Sequence, residues 1–129
     1  MMNFGADFLI LNSEFVWEGD NLATVSGEDN VDQQAYLQLI TDLGESVFFA
    51  DYGGRLQMYL SRPFNDENKK KAEAEAKATL SRVGDRWIEQ VLECRIELEE
   101  TSGKKILFAK YLLQGSTTPR DINLKMEVI

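Results

Sequence analysis

The succession of apolar periods along this 129-residue chain predicts an α+β fold: an antiparallel β-sheet packed against two main helices, with an N-terminal β-hairpin. Three observations carry that expectation. Strand-forming residues crowd the first 25 positions, apolar residues recur at three- and four-residue spacing between Val31 and Val83, and the period drops to two from Ile88 onward.

Asp7 to Asn12 and Glu14 to Glu18 are rich in strand formers and are split by polar Asn12-Ser13, which reads as a hairpin, with Asn21 to Val25 as a short third strand. Glu28, Asp29 and Asp32 then supply the negative charge a helix N-terminus favours, with Asp29 or Asn30 as N-cap and the helix beginning near Val31. Tyr36, Leu39, Ile40 and Leu43 trace its inner face, Val31, Ala35 and Leu39 a neighbouring stripe, and Gln33, Gln34, Gln38 and Asp42 face elsewhere. Gly44 is the expected left-handed cap. Ser46 to Ala50 reads as extended, and Asp51-Tyr52-Gly53-Gly54 as a sharp turn.

Arg55 to Leu60 predicts one short helix with Leu56, Tyr59 and Leu60 inward, ended by Pro63. Asn65 caps a second long helix running to about Val83, with Ala72, Ala76, Leu80 and Val83 buried and Glu73–Lys77 a solvated pair. Lys69-Lys70-Lys71 reads as a solvated face. Ile88, Leu92, Cys94, Ile96 and Leu98 then alternate with charged residues in a long half-exposed strand. Thr101 to Lys104 turns, and Lys105 to Gln114 returns as a strand apolar on both faces. Ile122, Leu124, Met126 and Val128 alternate to the end as a third strand, and no internal repeat stands out. The chain is expected to be one domain, residues 1–129, divided into N-terminal strands (1–26), a helical part (31–83) and a C-terminal antiparallel sheet (87–129).

Composition narrows the chemistry. A net charge of −8 disfavours nucleic acid and anionic membrane as partners, because phosphate is bound by Lys and Arg with release of counterions. No apolar stretch approaches the roughly 20 residues of a membrane span, and the first residues lack the basic start and apolar core of a secretion signal, so a cytoplasmic origin is expected. Cys94 stands alone, with no disulfide or cysteine zinc site to join, and histidine is absent. That removes the commonest general base, the Ser-His and Cys-His nucleophile pairs and the usual transition-metal ligands. No cofactor is implied.

Carboxylate pairs such as Glu14 and Glu18, or Glu45 and Asp51, arise by chance in a chain with 22 acidic residues, and their spacing alone supports no glycosidase. Gly53-Gly54 belongs to neither a P-loop nor a dinucleotide fingerprint, since no Gly-Lys-Ser/Thr follows and no G-x-G-x-x-G is present. Trp17, Trp87 and Tyr52 read as core or rim aromatics.

Gly27-Glu28, Gln33-Gln34, the helix to Leu43, Gly44-Glu45, Phe48-Phe49, Asp51-Tyr52-Gly53-Gly54, Leu56 and Leu60 together resemble the small baseplate wedge proteins of contractile-tailed phages, often labelled lysozyme-like. Related subunits occur in type VI secretion baseplates, and the resemblance spans roughly residues 22 to 113. It implies a structural, non-enzymatic subunit of the virion baseplate, six copies per baseplate, assembled in the host cytoplasm. Its partners would be the tail sheath protein and other wedge proteins.

In that family a Glu-Pro-Arg motif precedes the C-terminal hairpin and anchors the subunit to the wedge core; here Asp85, Arg86 and Trp87 stand in its place, without the proline. The resemblance also implies that sheath strands pair with the sheet, for which Ile122, Leu124, Met126 and Val128 are the candidates, with Gly44, Gly53 and Gly54 as structural turns. A soluble adaptor or assembly chaperone of a tail or secretion apparatus is the alternative, and a peptidoglycan hydrolase the third reading.

Overall fold

The computed structural model describes residues 3–11, 14–44, 52–84 and 86–126, the Met126 side chain excepted. Asp85, Val128, the Asn12-Ser13 turn and the expected extended run Ser46 to Ala50 lie outside the described residues.

The N-terminal strands include the expected hairpin, Ile10–Leu11 with Glu14–Phe15, and form two further ribbons beside it. β1 (Ala6–Phe8) pairs with β6 (Thr24–Ser26), β2 (Ile10–Leu11) with β3 (Glu14–Phe15), and β4 (Trp17–Glu18) with β5 (Asn21–Leu22), all antiparallel. These three ribbons meet at a hub of single residues. Leu9 N–H donates to the Ala23 carbonyl at 2.8 Å, Val16 N–H to that of Leu9 at 3.2 Å and Ala23 N–H to that of Val16 at 2.7 Å, closing a ring of bonds. Leu9, Val16 and Ala23 are spaced by seven, so a hub residue flanked by two short strands recurs every seven residues. Sequence reading passes over it because the hub positions share only being apolar.

α1 (Gly27–Ile40) starts four residues earlier than expected: Ser26 is the N-cap residue, without a side-chain cap bond, and Asp29 and Asn30 lie inside the helix. Asn30 is buried and donates to the Phe4 carbonyl at 2.8 Å. Val31, Ala35 and Leu39 form the buried stripe, joined by Gln38, whereas Tyr36 and Leu43 are partly exposed. Gly44 does not cap the helix. The helix ends at Ile40, where the Thr41 hydroxyl donates to the Leu37 carbonyl, and Gly44 turns the chain farther on with φ +83°.

Beyond it Leu43 N–H donates to the Gly54 carbonyl and Gly54 N–H to that of Thr41, pinning the two turns together. A Cβ at Gly53 would overlap the Thr41 carbonyl and one at Gly54 the Thr79 hydroxyl, so close approach explains both glycines. α2 (Leu56–Leu60) buries Leu56 and Leu60. α3 (Asp66–Ser81) is capped by Asn65, whose side chain accepts from Asn68 N–H at 2.9 Å, and Ala72, Ala76, Leu80 and the following Val83 are buried as their spacing predicts.

The C-terminal sheet has strand order β7-β8-β9, with β7 (Ile88–Leu98), β8 (Lys105–Leu113) and β9 (Arg120–Met126) antiparallel. β7 breaks the expected alternation. Register shifts between Ile88 and Gln90 and between Val91 and Glu93 each insert an extra residue, so Ile88, Val91, Cys94 and Ile96 pack inward while Leu92 is left on the surface. Leu107, Ala109, Tyr111 and Leu113 of β8 and Leu124 of β9 complete the sheet's contribution to the core, which α1, α2 and α3 cover. Among the described residues no helix is long and apolar enough to cross a membrane.

Candidate functional site

Both edges of the C-terminal sheet follow from the hairpin between β7 and β8. Glu99 N–H donates to the Lys104 carbonyl at 2.8 Å, and alternation along an antiparallel ladder then turns the backbone groups of Ile106, Phe108 and Lys110 toward β7 and those of Leu107 and Ala109 toward β9. Ile96 confirms the parity. Its N–H points out of the sheet and donates to the Glu73 carboxylate of α3 at 2.8 Å, so Glu73 caps this position of the β7 edge rather than forming the solvated Glu73–Lys77 pair expected.

The same parity sets Leu124 and Ile122 against Leu107 and Ala109, and turns the N–H and C=O groups of Asp121, Asn123 and Lys125 away from β8. This is the β9 edge. A row of such groups is a template for a further strand. Near it lies a groove of about 850 Å³, walled by Leu9, Leu11, Val25, Tyr36, Asp29 and Ile122.

The edge is held in place by its first residue. Arg120 is on the helix-facing side of β9, as Ile122 and Leu124 are, and reaches the first turns of α1. Its Nε lies 3.1 and 3.0 Å from the two Asp32 oxygens, its Nη2 2.9 Å from Asp29 and its Nη1 3.1 Å from Glu28. Tyr111 donates its hydroxyl to the same Asp32 carboxylate. Burial raises the Tyr111 phenol well above its ordinary range, and the Asp32 carboxylate adds to the effect, so it stays a donor at any physiological pH. The Asp32 hydrogen bond likewise raises Arg120.

On the outer face Arg95 lies 4.3 Å over the Phe108 ring and is flanked by Glu93 and Glu97, and Lys125 pairs with Glu99 at 2.9 Å. Charges along an edge discourage unplanned pairing.

The sequence-predicted residues divide. Ile122 packs against the core and Leu124 is buried within it, so these side chains position the strand and leave its backbone as the recognition element. Arg86 is exposed at φ +57°. Trp87 turns inward, packing edge-on against Phe4 with ring centroids 6.1 Å apart. Cys94 is half-buried and burial pushes its thiol up to about 12. Sequence reading assigns no binding role to Asp121, Asn123, Lys125, Arg120 or Tyr111, and reads Asp32 only as an acid of the helix N-terminus. The signal available for the first three is strand parity, which needs the turn register at Glu99–Lys104 to be read. Among the described residues no group of His, Cys, Asp or Glu is arranged to hold a metal ion.

No family model matches the chain, and no curated protein does. Among solved structures, a Geobacter sulfurreducens protein carrying the provisional name tail lysozyme matches with a TM-score of 0.67 and 20% identity, over 79% of this chain and 91% of that one. The chain therefore shares the fold of that tail-lysozyme structure, α+β with an antiparallel sheet under two main helices.

Proposed function

We propose that this chain is a structural wedge subunit of a contractile-tail baseplate, linking the wedge core to the sheath and seeding the sheath by accepting a partner strand on β9. The observation that carries the reading is the outward row of backbone groups at Asp121, Asn123 and Lys125, on a strand fixed by buried Leu124 and by Arg120. A rigid, preordered edge spares a partner strand part of the ordering cost of pairing. The fold shared with a protein named for a phage tail supports the setting.

In this reading the subunit resides in the virion at one copy per wedge, six around the baseplate. Arg86, exposed where the family's anchor motif falls, makes the contact with the wedge core, and Trp87 braces it from within. The role is structural in this reading, with Glu28, Asp29 and Asp32 serving Arg120 as ties between β9 and α1.

Light scattering of the purified chain, alone and mixed with the sheath and large wedge proteins encoded beside it, tests the reading. Stable complexes with both are expected. Failure with every folded tail partner contradicts it in favour of an adaptor, and clearing of a cell-wall suspension contradicts the non-enzymatic role.

A further inference from the structure

Cross-strand pairing fixes which residues of the N-terminal ribbons share a face, because directly paired residues point the same way and neighbours along a strand point oppositely. Phe8 pairs with Thr24, Ile10 with Phe15 and Trp17 with Leu22, so each pair shares one face of its own ribbon, and the Phe8–Phe15 ring contact joins the first two. Asp7, Glu14 and Glu18, paired with Val25, Leu11 and Asn21, lie on the opposite faces. The first set is apolar except for Thr24, and carries no charge.

It is also uncovered. Phe8 is 47% exposed, Phe15 55% and Trp17 65%, and Phe8 meets Phe15 edge to face with centroids 6.1 Å apart. Aromatic side chains clustered on a rigid exposed surface mark interaction sites, and they supply the large anchors of protein interfaces. The hub of Leu9, Val16 and Ala23 and the side chain of Gln33, which bonds the Phe8 carbonyl and the Ile10 N–H at 2.8 and 2.9 Å, hold the platform to α1.

Charge selects the occupant. The ribbons themselves carry Asp7, Glu14, Glu18 and Asp20, all exposed, and no Lys or Arg, so the back and rim of the platform are acidic. A sugar stacked on the rings would need polar groups on the same faces for its hydroxyls, and only Thr24 is there. We propose that this platform docks a protein partner through an apolar segment flanked by lysines or arginines, separately from the β9 edge.

The probe is an alternating Lys-Leu peptide titrated into the whole chain, followed by tryptophan emission and calorimetry at low and at 0.5 M salt. Binding with a blue shift is expected. It should weaken at least tenfold in high salt and at least tenfold in Phe15→Ser, while Trp17→Phe keeps the binding and loses the shift. Because Phe15 and Trp17 are exposed, both variants fold. No binding, or binding equal in Phe15→Ser, overturns the proposal, as does a shift with a chitin oligosaccharide and none with the peptide. Peptide binding without any complex with the sheath or wedge proteins counts against the tail role alone.

Discussion

Arg120 brings the start of β9 and the first turns of α1 together, and its side chain is mostly shielded from water, so its bonds to Asp32 are worth more than an exposed ion pair. Arg120→Ala should lower stability by about 1–3 kcal/mol, measured as a shift in the urea midpoint. The Arg120→Lys variant should recover only part of this loss, since an ammonium cannot repeat the guanidinium fork.

Cys94 tests burial on the sheet's inner side. With burial pushing its thiol up to about 12, alkylation at pH 8 should be much slower in the native chain than in the unfolded one. The sign for stability follows. A folded pKa raised above the unfolded value gives a contribution fully present below pH 9 and lost as pH rises toward 12, so wild type should lose stability between pH 7 and pH 10.5 to a degree that Cys94→Ala does not share.

At the scale of elements, the Gln33 amide ties the backbone of the ribbons to α1. Gln33 offers the Phe8 carbonyl and the Ile10 N–H the bonds a neighbouring strand would give, so Gln33→Ala should cost about 1–2 kcal/mol and speed hydrogen exchange at Ile10. Gly84 at φ +61° sits where a Cβ would overlap the Trp87 indole, and Gly84→Ala should lower stability by at least about 1 kcal/mol with a changed near-ultraviolet signal from Trp87.

Elements governed by local chemistry were legible in the sequence. α3 is the clearest case, with the Asn65 cap and the Ala72, Ala76, Leu80 stripe read from spacing alone. What was not legible depends on partners distant in sequence. Gln33 and Glu73 look like solvated helix positions and instead bond backbone in the ribbons and in β7. Leu92 looks like an inward residue until the two bulges of β7 move it to the surface. The candidate site was legible as a C-terminal strand with buried Leu124, but not as the backbone of Asp121, Asn123 and Lys125, because side-chain alternation does not say which backbone groups a neighbour uses.

At the scale of the whole molecule, Glu73 caps the Ile96 N–H at one edge of the sheet, and the other edge turns the backbone groups of Asp121, Asn123 and Lys125 outward. Leu124→Asp would place a carboxylate in the core and should abolish folding, so it cannot separate a damaged edge from a damaged protein. Asn123→Pro can. Its side chain is exposed, its N–H points away from β8, and proline is tolerated on an edge strand.

The most direct test is therefore sheath assembly seeded by wild type and by Asn123→Pro, followed by light scattering, with the fold of each checked by circular dichroism. Wild type should form a stable complex with the sheath protein and shorten the lag of its polymerisation, while a folded Asn123→Pro chain does neither. Equal seeding by the two, or no effect of wild type on folded sheath protein, would contradict strand addition at β9.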